Sequence, residues 1–94
     1  MTIPLQSPED IGVAIKAIRR SLKIRQDDLA MIADVSPGFM LKLESGNPSV
    51  NLGKVLSVMA ALGIELELRV PPEVRPESVL QQLGVRSGNE AAPQ

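Results

Sequence analysis

The chain has no cysteine, no histidine, no tryptophan and no tyrosine, and its one aromatic residue is Phe39. Each absence removes a class of function. Without cysteine there is no disulfide framework to read. Without histidine or cysteine the chain lacks the imidazole base, the thiol nucleophile and the soft metal ligands of most small enzymes and metal sites. No general acid/base pair, phosphate-cradling loop or metal-ligand spacing takes their place, so neither catalysis, a cofactor nor a small-molecule substrate is expected. Long apolar runs are also missing, so no membrane-spanning segment is expected. No charged-then-apolar leader with a cleavage site opens the sequence, and the expected location is the cytoplasm. Ninety-four residues allow one small domain and a tail.

The formal net charge of −1 argues against a nucleic-acid partner when taken as an average. Its distribution argues differently. Residues 1–10 carry two acids and no base, and residues 43–94 carry an acidic excess. Between them, Lys16, Arg19, Arg20, Lys23, Arg25 and Lys42 outnumber Asp27, Asp28 and Asp34, which leaves residues 11–42 at +3. Such a distribution fits either a solvated helix face or a phosphate-facing surface masked by the acidic second half.

Local patterns divide the chain. Ser7-Pro8-Glu9-Asp10 reads as a helix start, with a hydroxyl at the N-cap, proline in the first turn and acids near the positive end of the dipole. Ile11, Ile15, Ile18 and Leu22 then lay one apolar stripe on a helix over about residues 8–22. A second helix begins near Arg25-Gln26, with Leu29, Ala30 and Ala33 facing inward, and Asp34-Val35-Ser36-Pro37 interrupts it. Ser36-Pro37 starts a third helix over about residues 37–44, and Ser45-Gly46-Asn47-Pro48-Ser49 is a loop. Asn51 caps a fourth, with Leu52, Val55, Leu56, Met59 and Leu62 as its apolar stripe and Gly63 at its end.

The period then changes from helical to alternating. Ile64, Leu66, Leu68 and Val70 alternate with Glu65, Glu67 and Arg69, the pattern of a strand with one apolar face, ended by Pro71-Pro72. A lone strand cannot satisfy its own backbone. With no second strand candidate in the chain, the partner is expected to be a twofold copy of itself. Residues 71–94 form a tail, either disordered or partner-docking, in which Pro76 to Gly84 have the pattern of two helical turns.

Two short helices joined by a tight turn, residues 26–33 and 37–44, are either an ordinary helical hairpin or a helix-turn-helix. The helix-turn-helix demands a small residue where the helices cross (Ala30), a residue tolerant of unusual backbone in the turn (Asp34), a core plug (Val35) and inward anchors on the third helix (Met40, Leu43). All are in register, which favours the DNA motif. Lys42 is then a candidate reader of guanine O6 and N7, Gly38 permits close backbone approach, and Phe39 either touches a thymine methyl or packs at the domain edge. Arg25 and Asn47, and Lys23 beside them, are candidates for phosphate contacts, which position without specifying sequence.

Gln26-Asp27-Asp28-Leu29-Ala30, Asp34-Val35-Ser36 and Leu43-Glu44-Ser45-Gly46 together resemble the Xre/Cro-repressor type of helix-turn-helix. Ser7-Pro8, Gly38-Phe39-Met40, Asn47-Pro48, Leu52-Gly53-Lys54-Val55-Leu56 and Ala61-Leu62-Gly63-Ile64-Glu65-Leu66 extend the resemblance to the HipB-like antitoxins, over about residues 7–70. The resemblance implies a mainly α, lambda-repressor-like domain of four helices followed by one β-strand (Ile64, Leu66, Leu68, Val70) paired across a homodimer. It implies an antitoxin that binds a HipA-like serine/threonine kinase toxin and represses their shared operon at double-stranded operator DNA. It places Ser36, Pro37, Gly38, Phe39 and Lys42 against bases and Gln26 against a phosphate, and pairs Arg19 with Glu44 as a structural ion pair. A stand-alone regulator without a kinase partner, and an interaction subunit that no longer binds DNA, are the alternatives. Three departures stand out: Asp34 replaces the usual turn glycine, Arg25 replaces a hydroxyl N-cap, and Pro37 and Gly38 replace polar base readers, which gives DNA shape a share in specificity.

Overall fold

In a computed structural model, which describes residues 1–84, the first helix begins where the capping signals put it, but by another route. The helix α1 runs Pro8–Ser21 with Ser7 extended at its N-cap, yet the Ser7 hydroxyl makes no cap bond. The carboxylate of Asp10 reaches back instead and accepts from the Gln6 amide at 2.8 Å. At its other end Lys23 turns the chain with φ 60°, and Leu22 faces solvent rather than extending the apolar stripe.

The remaining helices are α2 (Gln26–Ala33), α3 (Pro37–Glu44), α4 (Leu52–Ala61) and α5 (Pro76–Leu83). Side-chain caps fix two starts: Ser36 Oγ accepts from the Phe39 amide at 3.0 Å, and Asn51 Oδ1 from the Lys54 amide at 2.9 Å. Each satisfies a donor that the first turn leaves without an intrahelical partner. Gly63, at φ +75°, closes α4 and passes the chain to Ile64, whose amide returns to the Met59 carbonyl at 2.9 Å.

The core lies where α1 packs on α3 and where α2 packs on both α3 and α4. Its fully buried side chains are Ile15, Leu29, Met40, Leu43 and Val58, with Ala30, Ala33, Val55, Met59 and Leu62 around them. The stripe read on the fourth helix needs correction: Leu52 and Leu56 are exposed, and Val58 is a centre of the core. Helical spacing also admits a stripe of Val55, Val58, Met59 and Leu62 opposite Gly53, Lys54 and Ser57, and that is the face the fold buries.

Two further expectations differ from the structure. Five helices are present among the described residues, not four, because Pro76–Leu83 forms α5 with Pro76 at its start and no buried residue. The segment Ile64, Leu66, Leu68, Val70 is extended but forms no strand within the chain. Among the described residues, nothing exchanges backbone hydrogen bonds with residues 65–70. The physical reason is that a strand exists only as part of a ladder, and the described residues supply no second rung. Ile64 packs on the core, whereas Leu66 and Leu68 are 68% and 77% exposed. The part of the tail read from residues 85–94 lies outside the described residues.

Candidate nucleic-acid interface

Three backbone constraints set the position of α3. Asp34 adopts the left-handed conformation at φ 58°, ψ 47°, which for a residue other than glycine costs about 1–2 kcal/mol. It ends α2 with its own amide on the Met31 carbonyl at 3.2 Å and sends the Val35 amide to the Ala30 carbonyl at 2.9 Å. Ala30 is buried beneath the turn, and Val35 packs against the core beside it. At the far end, α1 meets α3 backbone to backbone. A Cβ on Gly12 would overlap the Leu43 carbonyl oxygen and crowd the Gly46 amide, so only glycine fits there.

The inner face of α3 is tied by charge as well as by Met40 and Leu43. Arg19 Nε donates to Glu44 Oε2 at 2.7 Å, and Nη2 donates to Oε1 at 2.9 Å, a bidentate fork whose side chains are 9% and 3% exposed. Arg19 Nη1 donates to the Ile24 carbonyl at 2.8 Å, and Gln26 Nε2 donates to Glu44 Oε1 at 3.1 Å. Burial alone would raise the Glu44 carboxyl. The hydrogen bonds from Arg19 and Gln26, with the charges of Arg19 and Lys16, outweigh it and hold the carboxyl below its ordinary value. The Glu44 hydrogen bond raises the Arg19 guanidinium correspondingly. This network connects the end of α1, the start of α2 and the end of α3.

The outer face of α3 carries Pro37, Gly38, Leu41, Lys42 and, just beyond it, Ser45, all exposed. The Lys42 side chain makes no bond within the described residues. Ser36 is also exposed, although its hydroxyl is engaged as the cap. Phe39 is half-buried against the core, and Lys54 Nζ stands 5.7 Å from its ring centroid. Gln26 is turned toward Glu44 rather than outward. Arg25 pairs with Asp27, two residues on, Nε to Oδ1 and Nη2 to Oδ2 both at 3.2 Å, on the exposed surface. That bond holds the Asp27 carboxyl below its ordinary value. Asn47 is half-buried, and its Oδ1 accepts from the Ser49 amide at 2.7 Å, which leaves its side-chain NH₂ unengaged among the described residues.

Thus Ser36, Pro37, Gly38 and Lys42 share one accessible surface, with Arg25 and Asn47 in the loops that precede α2 and follow α3. Phe39 and Gln26 are drawn inward. Sequence reasoning missed Leu41 on the outer face and Lys54 beside Phe39. Leu41 was legible from helical spacing, since it falls opposite Met40 and Leu43; the Lys54–Phe39 contact joins two helices and leaves no local signal. Among the described residues, no helix is long and apolar enough to cross a membrane.

No family model matches the chain. An uncharacterised HTH-type transcriptional regulator, y4mF, of Sinorhizobium fredii is 38% identical over 71 residues, which cover 76% of this chain and 93% of the relative. Among solved structures, a chain of the HipA–HipB–O2–O3 complex superposes with a TM-score of 0.69 at 17% identity, over 73% of this chain and 97% of that one. A protein described as MDT protein gives the same figures. At that identity the structural likeness speaks for a HipB-like fold. The sequence relationship goes further, and with the turn at Asp34 and the exposed face of α3 it leads to one conclusion: the chain belongs to the helix-turn-helix transcriptional regulators.

Proposed function

We propose that the chain is a homodimeric repressor of its own operon and the antitoxin of a type II toxin–antitoxin pair, in which it binds and neutralises a HipA-like serine/threonine kinase toxin. The observation that carries the DNA half is the outer face of α3. Lys42 and the small residues Gly38 and Ser45 are presented to solvent, while Arg19 and Glu44 pin the helix from behind. Lys42 donates to guanine in the major groove, Gly38 lets the backbone close on it, and Ser36 and Pro37 meet the groove at the start of the helix. Arg25 and Asn47 contact phosphates on either side. Gln26 joins them from the first turn of α2, its amide leaving Glu44 for a phosphate. Phe39 lines the edge of the interface.

The extended segment supports the homodimer. Leu66 and Leu68 are exposed next to an unpaired backbone, and a second copy supplies the missing ladder and covers both side chains. The toxin half is supported by the HipB-like run of motifs over residues 7–70 and by the superposition on a chain of the HipA–HipB–O2–O3 complex. The working place is the cytoplasm, where operator DNA is found.

The test has two arms. Tagged chain is purified from its own cell and its partners identified by mass spectrometry. Recovery of a kinase supports the antitoxin; repeated recovery of the chain alone favours a stand-alone regulator, the reading closer to the name of the 38%-identical relative. In the second arm, gel shift on the DNA upstream of the gene should weaken steeply with salt and be lost with Lys42→Ala and Gln26→Ala together. Binding that ignores both changes removes this surface from the DNA interface. Leu66→Asp with Leu68→Asp should convert a dimer to a monomer in sedimentation.

A further inference from the structure

Leu41 is 61% exposed in the middle of a helix whose other outward residues are polar or small. At 100° per residue, Gly38, Leu41, Lys42 and Ser45 share an arc of about 100° on α3, opposite Met40 and Leu43. Leu41 and Lys42 stand at the two edges of that arc, and Gly38 and Ser45 form a low floor between them. The strip therefore offers two different chemistries to one surface: an apolar branch on one side and a cation on the other.

Phe39, the aromatic that a reading of the sequence offers for contact with a methyl group, is not available in the same way. Its ring packs on the core and faces Lys54. No other large apolar side chain of α3 is exposed. In the major groove the only apolar group on a base edge is the 5-methyl of thymine. We infer that Leu41 is a specificity-determining residue that packs on a thymine 5-methyl group, beside the base contacted by Lys42. The inference rests on the DNA-binding reading of α3 and adds to it a preference for thymine over cytosine at a fixed step from a guanine.

The experiment uses the full-length chain and a pool of random-sequence duplexes. The enriched duplex is resynthesised with deoxyuridine in place of thymidine, one position at a time, which removes a single methyl and leaves every hydrogen-bonding group in place. At one position in each half-site the loss should weaken wild-type binding about fourfold, the worth of one buried methyl-sized group. Leu41→Ala should bind the thymine duplex about fourfold more weakly and treat thymine and uracil alike there, with an unchanged thermal melt because the side chain is exposed. Lys42→Ala should bind more weakly and keep the thymine preference. Wild-type protein that binds every deoxyuridine duplex as it binds the parent overturns the role of Leu41 and leaves the DNA reading standing, as does a thymine preference that survives Leu41→Ala. A pool from which no sequence is enriched overturns the DNA reading itself, and the role of Leu41 with it.

Discussion

Arg19 and Glu44, 25 residues apart in sequence, meet as a two-bond fork at 2.7 and 2.9 Å with almost no access to solvent. The pair locks the end of α1 to the end of α3, and Gln26 and the Ile24 carbonyl take up further hydrogen-bonding capacity. Removing one partner strands a charge that the fold has already desolvated. Arg19→Met and Glu44→Leu singly should each cost about 3–5 kcal/mol, and the double variant should recover much of the loss. Denaturant unfolding of the three variants checks it; single variants that melt like wild type would mean the pair contributes nothing.

The same carboxylate makes stability depend on pH. The folded chain holds Glu44 below its ordinary value of 4.5, so its contribution is complete above that pH and is lost as pH falls through the lower folded-state value. Arg19, raised in the folded chain, stays charged throughout this range. Melting temperatures from pH 7 to pH 3 should drop more steeply on the acid side for wild type than for Glu44→Gln, whose amide does not titrate. Parallel curves would show that other carboxylates govern acid unfolding.

Gly12 should tolerate nothing larger. Its missing side chain is the space occupied by the Leu43 carbonyl, a backbone atom that moves only if α3 moves. Gly12→Ala gains helix propensity in α1 but should destabilise by about 1–3 kcal/mol net through overpacking. It should also weaken DNA binding more than its stability loss explains, because the displaced element is α3. Affinity measured well below the melting temperature separates the two effects.

Asp34→Gly should act in the opposite sense. Glycine adopts φ 58° without the steric penalty borne by aspartate, while the unfolded chain gains freedom. The balance should favour the variant by about 0.5–1 kcal/mol, read as a higher unfolding midpoint with an unchanged slope. A lower midpoint would mean that the aspartate carboxylate does more in this turn than its backbone shape requires.

Legibility of the fold in the sequence followed the range of each interaction. Ser36-Pro37 and Asn51 are local signals, and their helices begin where they indicate. The inward set Leu29, Ala30, Ala33, Met40 and Leu43 follows from spacing and is buried. Helix α4 admits two apolar stripes, one through Leu52 and Leu56 and one through Val58; the fold buries the second, opposite Gly53, Lys54 and Ser57. Gly12 gave no signal, since its neighbour lies 31 positions away in the chain. Gln26 read as an outward residue and sits on Glu44, a hydrogen bond between distant elements that no local pattern reveals. The alternation at residues 64–70 is a local signal for a strand, but among the described residues nothing lies beside them to pair with, and they are extended without a ladder.

The contact of Gly12 with the Leu43 carbonyl also bears on how such regulators diverge. One end of α3 is seated by main-chain atoms; of its outward side chains Ser45 alone bonds back, to the Lys42 carbonyl at 2.9 Å, and those of Leu41 and Lys42 take no part in holding it. Residues 38, 41 and 42 are thus free to change identity without shifting the axis on which they stand. On the proposed DNA reading of α3, a new preference requires only new letters on a fixed rail, and relatives with different binding sites are expected to keep the glycine while varying these three.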